Sequence, residues 1–582
     1  MRKTIYFILI LFCSVLNVSA KDIIVENTLF GIENALQQAR EARRLEGVTD
    51  VNIILKEGIY RVCQQVVIRP EDSGTRIIAD GKAVVSGGVL ISGWKKEGRY
   101  FVADQPFFNG RPLEFRQLWV NGVKAVRARD VEDFEQMHRI MAMDKAKEVL
   151  YVPTAAVKSV LKGKKTLDNI EGLEMTLHEM WCVANLRIKR IDNLGDSAAV
   201  YFHNPESYIH FKHPWPSPMI TKDGHNSAFY LSNDKVLMDV PGEWFLDTKA
   251  RKVYYIPRNG ENMAKAEVEV PAVETIFDIH GTPDEVVKDV TIKGITFKQT
   301  TWLRPSLQGH APLQAGMYMT EAYKLRPAIK RPNGDHGLDN QGWVGRPAAA
   351  IELNCAENVN IEDCCFTQMA SSAIDYHTFT KGGAISNCDF HDIGGNAIMA
   401  GSVGSEYYEA HKPYDPSDRR IICDGLTTRN NKITDATNED WGCVGIFAGY
   451  VRNIVIQRNT ISEVSYTGIS LGWGWNQQPC AMANNKVLDN TIFHYAKHMY
   501  DTAGIYTLGA QPHSLIEGNV VKDIYTPGYA HDPNHWFYLY TDEGSSGIIV
   551  RNNWTPTEKY LQNSNGPGNT WENNGPQVQI GK

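Results

Sequence analysis

A short pattern of polar and apolar positions recurs along the chain from about residue 353 to residue 553. Each copy begins with an Asn, continues with a short apolar segment, and reaches a second apolar segment that most often starts with Gly-Ile. Self-similarity at a fixed spacing indicates one supersecondary unit that is stacked many times. The pattern therefore predicts a solenoid of stacked coils. The Asn positions, 28 to 33 residues apart, are Asn431, Asn459, Asn490, Asn519 and Asn552.

The residue types predict that these coils are built from β-strands. The apolar segments are short, rich in β-branched and aromatic residues, and bounded by Gly, Asn and Asp. Two earlier copies are 24 residues apart, as Phe366 and Phe390 and also Ile374 and Ile398 show. We therefore expect an all-β fold, a right-handed parallel β-helix, in which the Asn amides bond to one another along the stack. The alternative is an ordinary β-protein in which these Asn residues only occupy turns.

Other segments complete the predicted architecture. Residues 30–45 have the pattern of an amphipathic helix, which we expect to cap the open strand edges of the first coils within residues 21–95. The repeat is absent from residues 96–275, where alternating strands and tight turns predict an inserted β-rich domain. It resumes over residues 276–582, the main β-helix, which we expect to carry the catalytic face. Residues 301–347 form a long excursion, and such loops are usually functional or disordered.

The first 20 residues have the pattern of a secretory signal peptide. Arg2 and Lys3 precede a largely apolar stretch, and residues 18–20 are small enough for cleavage. The sequence thus predicts a secreted protein, periplasmic or extracellular, and no other stretch has the length and apolarity of a membrane span. The formal net charge is −7 at pH 7 with no basic run, which argues against nucleic acid as a partner. The oligomeric state is left open.

The cysteines predict buried thiols. Nine follow Cys13, an odd number without the spacing of a disulfide framework. Cys364, Cys388 and Cys443 fall in repeat strands, where a small thiol fills the interior. A bridge between Cys364 and Cys388 on stacked coils is the alternative. No Cys-x-x-Cys pair occurs, and we predict neither a metal site nor a cofactor.

Acidic residues gather at the ends of two consecutive repeat strands. Tyr540–Glu543 aligns with Tyr506–Gly509, so that Asp542 replaces an apolar residue one coil later, and Asp501 precedes the earlier strand. Because adjacent coils are about 4.8 Å apart, we expect Asp501 and Asp542 to lie roughly 5–10 Å apart, a range that includes the carboxyl separations of glycosidases. The alternative is that each caps a turn or ends a solvated strand. Further candidates for a catalytic or supporting carboxylate are Glu543, Glu439 and Asp440, with Asp375 a weaker one.

Aromatic residues next to these strands are candidates for sugar binding. Trp473 and Trp475 follow the Gly468-Ile469 strand into a loop, where two Trp separated by Gly are hard to explain as core. Aromatic rings offer broad apolar faces, and Trp adds an N–H donor. The alternative is a loop folded onto the helix wall. The predicted substrate-binding residues are Trp473, Trp475, Trp441, His377 and Tyr540, and further walls of the same cleft are expected from Trp302, Trp343, His310, His336 and His535.

Together these motifs resemble the β-helix glycoside hydrolases of family 141, whose members include α-L-fucosidase and xylanase activities on plant cell-wall glycans. The resemblance covers nearly the whole chain after the signal peptide. It implies that Asp501 and Asp542 are the catalytic aspartates. The motifs that carry it are Glu57–Tyr60 (EGIY), Phe115–Gly122 (FRQLWVNG), Gly242–Asp247 (GEWFLD), Gly468–Trp475 (GISLGWGW) and Tyr540–Gly544 (YTDEG).

We therefore predict a secreted glycoside hydrolase that cleaves plant cell-wall or similar complex glycans with two carboxylates. The excursion over residues 301–347 would close one end of a groove, which favours exo action of the α-L-fucosidase type. The alternatives are a xylan-active hydrolase, a polysaccharide lyase, or a non-catalytic glycan-binding β-helix. A lyase acting on uronates needs a base and a cationic partner for the substrate carboxylate, whereas acids and Trp dominate residues 440–545.

Overall fold

The computed structural model describes residues 20–212, 215–322, 343–404 and 410–579. The predicted signal peptide lies outside these residues except for Ala20, and so does His336. No helix among the described residues is long and apolar enough to cross a membrane. The α-helices are Gly31–Glu46, Lys158–Leu161, Glu206–Lys212 and Arg304–Gln308.

The largest sheet, which we call the wall sheet, has 19 strands that belong to successive coils. Strands of neighbouring coils pair in parallel, as expected when each coil places the same segment above its predecessor. Its strands are Lys21–Ile24, Val51–Arg61, Thr75–Ser86, Thr291–Lys293, Thr296–Thr300, Asn360–Glu362, Cys365–Met369, Ala384–Ser386, Asp389–Ile393, Thr427–Arg429, Lys432–Thr434, Val455–Gln457, Thr460–Ser462, Lys486–Leu488, Thr491–Phe493, Ala510–Glu517, Val520–Val521, Ser546–Arg551 and Thr570–Glu572.

A ten-stranded parallel sheet, the site sheet, forms another face of the solenoid, and a five-stranded parallel sheet forms a third. The fold is the predicted right-handed parallel β-helix. The third sheet consists of Val287–Lys288, Ala356–Glu357, Thr380–Lys381, Cys423–Asp424 and Val451–Arg452. The site sheet consists of Val66–Ile68, Phe277–His280, Ala349–Asn354, Ser372–Tyr376, Ile398–Ala400, Ile446–Ala448, Ile469–Leu471, Thr502–Thr507, Trp536–Thr541 and Tyr560–Gln562.

The predicted stacking of equivalent residues is confirmed in the interior. Phe366 pairs with Phe390 in the register of the wall sheet, and their rings stack with centroids 5.0 Å apart. Ile374 pairs with Ile398 in the site sheet. Repeating apolar side chains thus form continuous columns in one buried core that runs along the solenoid.

The Asn residues form a buried ladder, also as predicted. The side-chain Nδ2 of one Asn donates to the side-chain Oδ1 of the Asn one coil later, over 2.8–3.0 Å. One position was wrong: Asn553 continues the ladder, whereas Asn552 accepts from Asn573 in an exposed outer row. Neighbouring residues point to opposite faces of the chain, so a slip of one position exchanges the inner and outer rows. The ladder comprises Asn431, Asn459, Asn490, Asn519, Asn553 and Asn574.

A glycine column explains the Gly-Ile part of the repeat. A Cβ atom on Gly445 would lie 2.6 Å from the carbonyl oxygen of Gly468, and one on Gly468 would lie 2.7 Å from that of Gly504. Real Cβ atoms do not approach backbone oxygen so closely, so only glycine allows adjacent coils to pack at this position. The following Ile of each copy points into the core.

The N-terminal helix caps the solenoid. Gly31–Glu46 packs Ile32, Leu36 and Ala39 into the main core, at the end where the first long strands would otherwise expose an apolar interior. Arg40 of this helix forms an ion pair of 2.7 Å with the buried Asp72. The helix therefore closes the end of the β-helix, within one residue of the predicted bounds.

The inserted segment has its own cores, separate from that of the solenoid. The chain leaves the β-helix with Gly88–Leu90 and returns with Val268–Pro271, and these two strands pair antiparallel. Its four sheets contain Gly88–Leu90, Trp119–Val120, Val123–Lys124 and Val268–Pro271; Lys95–Glu97, Tyr100–Asp104, Val126–Arg127, Glu243–Asp247 and Lys252–Tyr255; His138–Arg139, Ala142–Asp144, Val149–Pro153, Thr166–Leu167, Glu174–His178, Val183–Asn193, Ser197–Phe202 and Ala228–Ser232; and Phe107–Phe108 with Arg111–Pro112.

The inserted domain and the excursion cover the middle of the site sheet. The indole N–H of Trp181 donates to the carbonyl of Leu313 over 2.7 Å, and a ring nitrogen of His178 lies 2.8 Å from the carbonyl oxygen of His498. The described part of the excursion contains a small antiparallel sheet. Its strands are Pro312–Gln314, Met317–Met319 and Val344–Gly345.

The nine cysteines from Cys63 to Cys480 are free thiols. Cys364, Cys388 and Cys443 are buried, which confirms the prediction that they fill the interior. The alternative Cys364–Cys388 bridge is not formed: each thiol lies within hydrogen-bond distance of backbone carbonyl oxygens instead.

Candidate active site

The site sheet places a row of outward side chains across successive coils. Ile505 and Leu539 point into the core, so Tyr506 and Tyr540, the next residues of their strands, point outward. Asp542 lies two residues beyond Tyr540 and therefore on the same face. The pairing of Tyr506 with Tyr540 confirms the alignment from which Asp542 was chosen.

Asp542 is a buried carboxyl group between two donors. Its Oδ2 accepts a hydrogen bond of 2.5 Å from the Tyr506 hydroxyl, and its Oδ1 accepts one of 2.7 Å from the Asn563 amide. Only 9% of the residue is exposed. Burial raises the pKa of Asp542 to about 6, with the negative charge of Asp501 adding to the rise, although the two hydrogen bonds lower it. A carboxyl group with this pKa is protonated in a useful fraction near neutral pH.

Asp501 has a different environment. Its backbone is left-handed (φ 54°), which Asp tolerates better than most residues. The Tyr466 hydroxyl donates to its carbonyl oxygen over 3.0 Å. The imidazole Nε2 of His535 lies 3.1 Å from Asp501 Oδ1, and this contact raises the pKa of His535. His535 therefore brings a readily protonated ring against the Asp501 carboxyl group.

The negative charges of the two aspartates raise the pKa values of the same neighbouring groups. The charge of Asp501 raises the pKa values of Asp542, Tyr540 and Tyr466, and Asp542 also raises those of the two tyrosines. Desolvation is the largest cause for each group. Asp501 and Asp542 thus form one electrostatic unit lined by buried tyrosine hydroxyls.

Three other predicted residues lie in a different chamber. A space of about 470 Å³ between the inserted domain and the β-helix is lined by Glu439, Asp440 and Trp441, and its lining does not include Asp501 or Asp542. Glu439 forms an ion pair of 2.5 Å with Lys124 of the inserted domain. Asp440 Oδ2 lies 3.3 Å from the buried His310. The Trp441 ring stacks on His498 at 4.2 Å.

The two loop tryptophans differ in exposure. Trp473 is 1% exposed and packs edge-on against Phe447 and Trp475, so its ring offers no free face to a sugar. This is the folded-loop alternative, because Trp473 belongs to a buried cluster with Phe447, Leu313 and Met317. Trp475 is half-buried and borders the cluster around Tyr506 and Tyr540.

The remaining predicted residues are distributed over both ends of the site sheet. Tyr540 is buried beside Tyr506, and Glu543 directly follows Asp542 and is partly exposed. His377, Asp375 and Trp302 line a separate cleft formed by earlier coils. His377 lies five strands before Asp542, roughly 24 Å away at the strand spacing of a sheet. The structure therefore does not bring it into the cleft of the aspartates.

Sequence reasoning missed two residues that hold Asp542. The repeat pattern indicates Tyr506 only as the residue aligned with Tyr540, and it does not single out Asn563. Leu561 pairs with Tyr540, so Asn563 is level with Asp542 one coil later. Extending the alignment by one coil would have found Asn563.

The comparisons with known proteins concern the family and the fold of the chain. A family model for the family 141 glycoside hydrolase insertion domain matches residues 98–258, inside the segment 96–275. A solved glycoside hydrolase structure shares 53% identity over 96% of this chain and 97% of its own, with a TM-score of 0.92. No curated protein matches the chain.

Two further solved structures are much less similar to this chain. PfbA, a surface adhesin of Streptococcus pneumoniae, is 11% identical over 96% of this chain and 89% of its own, with a TM-score of 0.40. An exopolygalacturonase from Thermotoga maritima is 10% identical over 95% and 92%, with a TM-score of 0.33. The full-length similarity at 53% identity carries the assignment: the chain belongs to the glycoside hydrolases, with an insertion domain of family 141.

Proposed function

We propose that this glycoside hydrolase is a secreted, exo-acting enzyme of the α-L-fucosidase type that acts on plant cell-wall or similar complex glycans. Asp542 is the general acid and Asp501 is the base or nucleophile. The observation that carries these roles is the contrast between the two carboxyl groups. Burial keeps Asp542 protonated up to about pH 6, whereas Asp501 lies against His535, whose pKa is raised by this contact.

The proposed reaction uses both groups in one step. Asp542 gives its proton to the glycosidic oxygen as the bond to the anomeric carbon breaks. Asp501 either attacks that carbon or takes a proton from the water that does so. The anomer first released, read by NMR, tells these two courses apart.

The blocked site sheet supports exo action. In the row that contains Tyr506, the outward positions of two earlier coils are occupied by Met399 and Phe447. Both are fully buried in a cluster with Leu313 and Met317 of the excursion. A polysaccharide chain therefore cannot continue along the sheet in this direction, which suits a pocket for a chain end.

The test compares Asp542→Asn with Asp501→Asn on natural oligosaccharides and on aryl glycosides. An enzyme without its general acid loses about 10²–10⁴-fold on glycans but much less on aryl glycosides whose leaving group needs no proton. Loss of Asp501 should abolish turnover of both. The exposed Asp523→Asn, also at a left-handed position, is the matched control. Equal losses for both variants on both substrates would refute the assigned roles.

The substrate class is tested on a panel of 4-nitrophenyl glycosides and cell-wall oligosaccharides. Release of fucose from chain ends supports the proposal. Internal cleavage of xylan would replace it with the xylanase alternative, and an unsaturated product would indicate a lyase. Binding without turnover on every glycan would contradict the assigned catalytic pair.

A further inference from the structure

A second cleft lies at the N-terminal end of the site sheet, on the earlier coils. Its volume is about 830 Å³, which suits several sugar units. The floor is formed by Phe277–His280, Ala349–Asn354 and Ser372–Tyr376, and one wall by the helix Arg304–Gln308. Neither the catalytic aspartates nor their tyrosines line this cleft.

The floor presents polar side chains in two rows. Asp278, Glu352 and Asp375 are paired in register on three successive strands. Two residues further along each strand, and so on the same face, lie His280, Asn354 and His377. Burial lowers the pKa of His377 to about 4, so its imidazole is neutral at physiological pH.

Several hydrogen-bonding groups of the cleft have no partner among the described residues. The hydroxyl of Thr301, a residue only 4% exposed, is one of them. Arg346 holds Asp375 through Nε and Nη2, each 2.5 Å from a carboxylate oxygen, while its Nη1 is unpartnered. Buried donors of this kind require a partner, which a bound polar molecule supplies.

Aromatic and apolar groups lie beside the polar floor. The Arg304 guanidinium lies over the half-buried Tyr318 ring, with its central carbon 3.9 Å from the ring centroid, and Trp302 packs against the same ring. Leu307 of the wall helix is 53% exposed. A ligand in this cleft therefore contacts acceptors, donors and apolar surface together, the combination that sugar rings with their hydroxyl and C–H faces satisfy.

The charge of the cleft selects among ligands. Among the residues that the structure describes, Glu274, Asp278 and Glu352 have no ion-pair partner, whereas Asp375 is neutralised by Arg346. Uncompensated carboxylates repel uronates and phosphates. These carboxylates also do not converge on a cation: among the described residues, three metal-ligand groups come together only at Cys365, Asp389 and His391 on the wall sheet.

The cleft is not a continuation of the catalytic groove. Three strands separate Ser372–Tyr376 from Thr502–Thr507, about 19 Å at the spacing of a sheet. The outward side chains of the first two of these strands are the buried Met399 and Phe447. A glycan in one site cannot pass along the sheet into the other, so the two sites bind different segments or branches.

We propose that this cleft is an ancillary binding site for neutral oligosaccharides, which holds a second part of a large glycan while a chain end occupies the catalytic centre. The proposal rests on the glycoside hydrolase assignment but not on the identity of the sugar that is cleaved. The carboxylates accept hydrogen bonds from sugar hydroxyls, and Arg346 Nη1 and the Thr301 hydroxyl donate to ring or hydroxyl oxygens.

The test is calorimetric titration of the full chain carrying Asp542→Asn with neutral xyloglucan, xylan and galactan oligosaccharides, and with an oligogalacturonate as the acidic probe. We expect at least one neutral oligosaccharide to bind. Adding Asp278→Ala and His280→Ala should weaken this binding by about tenfold or more, whereas adding the exposed Glu267→Ala, outside the cleft, should not. Thermal unfolding and circular dichroism verify that each variant is folded.

A second readout separates this proposal from the catalytic one. In the otherwise unchanged enzyme, the Asp278→Ala/His280→Ala pair should lower kcat/KM on the large glycan and leave turnover of an aryl glycoside unchanged. Neutral-sugar binding that survives these changes but is lost with Tyr540→Ala would assign all binding to the catalytic centre. Absence of neutral-sugar binding, or a preference for the oligogalacturonate, would overturn the proposal.

Discussion

The buried Asn ladder should be a principal source of stability, and Asn490→Ala tests this. The Asn490 side chain makes four hydrogen bonds. Its Oδ1 accepts from the backbone N–H and side-chain amide of Asn459, and its Nδ2 donates to the carbonyl of Ile456 and to Oδ1 of Asn519, all over 2.9–3.0 Å. Every member of this group is shielded from water, so no solvent molecule replaces the lost partner.

The cost follows from what the substitution leaves behind. The Asn459 backbone N–H loses its acceptor, which costs about 1–3 kcal/mol for an unsatisfied buried donor. The other three bonds cost about 0.5–1 kcal/mol each, because the Asn459 amide retains contacts with Thr428 and Asn519 Oδ1 still accepts from the Asn490 backbone. We therefore expect Asn490→Ala to lower the free energy of unfolding by about 3–5 kcal/mol.

Gln457→Ala is the matched control. Gln457 also donates a side-chain amide to a neighbouring coil, to Asp489 over 3.2 Å, but this bond is exposed. Its loss should cost less than about 1 kcal/mol, since water replaces the partner. The assay is urea unfolding followed by tryptophan fluorescence and circular dichroism, with the midpoint compared at equal slope. If the two variants differ by less than about 1 kcal/mol, the ladder does not contribute as argued.

An isosteric variant tests the direction of the bonds. Asn490→Asp keeps the acceptor oxygen but replaces the donor Nδ2 by a second oxygen. This oxygen faces the Ile456 carbonyl and Asn519 Oδ1, which are both acceptors. Burial and this contact raise the pKa of the new carboxyl group above its unfolded value. The unfolded chain then releases its proton first, so stability should fall as pH rises above about 4. A stability difference from the parent that does not grow between pH 5 and pH 8 would contradict this account.

Three further predictions concern charged groups. Tyr506→Phe removes a hydrogen bond that lowers the pKa of Asp542. The basic limb of the pH profile of kcat/KM, expected near pH 6, should therefore move to higher pH. A limb that does not move would exclude Asp542 as the acid. Burial opposes ionisation of Glu174, but Arg116 and Arg127 lower its pKa to about 2. In urea unfolding, Glu174→Gln should lower the free energy of unfolding by about 3 kcal/mol above pH 5, and this difference should shrink as the pH falls towards 2. A difference that does not depend on pH would refute this account. Lys124→Met leaves the partly buried Glu439 without its cation and should destabilise the protein by about 1–3 kcal/mol, with partial recovery in Lys124→Met/Glu439→Gln; no recovery would refute the ion pair as the cause.

Local periodicity explains why much of the candidate site was predictable. Each coil repeats the residue types of the previous one. Residues that align in the repeat, such as Tyr506 and Tyr540, are therefore neighbours on adjacent strands. The same argument placed Phe366 over Phe390 and most of the Asn ladder. It failed by one position at Asn552, where two adjacent Asn residues offer the same pattern and only the strand pleat distinguishes inside from outside.

Contacts between distant parts of the chain account for the rest. Nothing in the residues around Trp473 shows that residues 311–319 fold over it, because those residues lie more than a hundred positions earlier. The pairing of Lys124 with Glu439 likewise depends on where the inserted domain docks. Such contacts have no period from which they can be predicted.

The sequence by itself determined the stacked coils, the capping helix and the strand ends on which Asp501 and Asp542 lie, since these follow from short-range patterns repeated at a nearly constant spacing. Tertiary structure alone decided the burial that raises the pKa of Asp542, the block at Met399 and Phe447, and the division of the site sheet into two clefts. These properties depend on desolvation and on packing between segments far apart in the chain, and both arise only when the loops and the inserted domain have folded onto the solenoid.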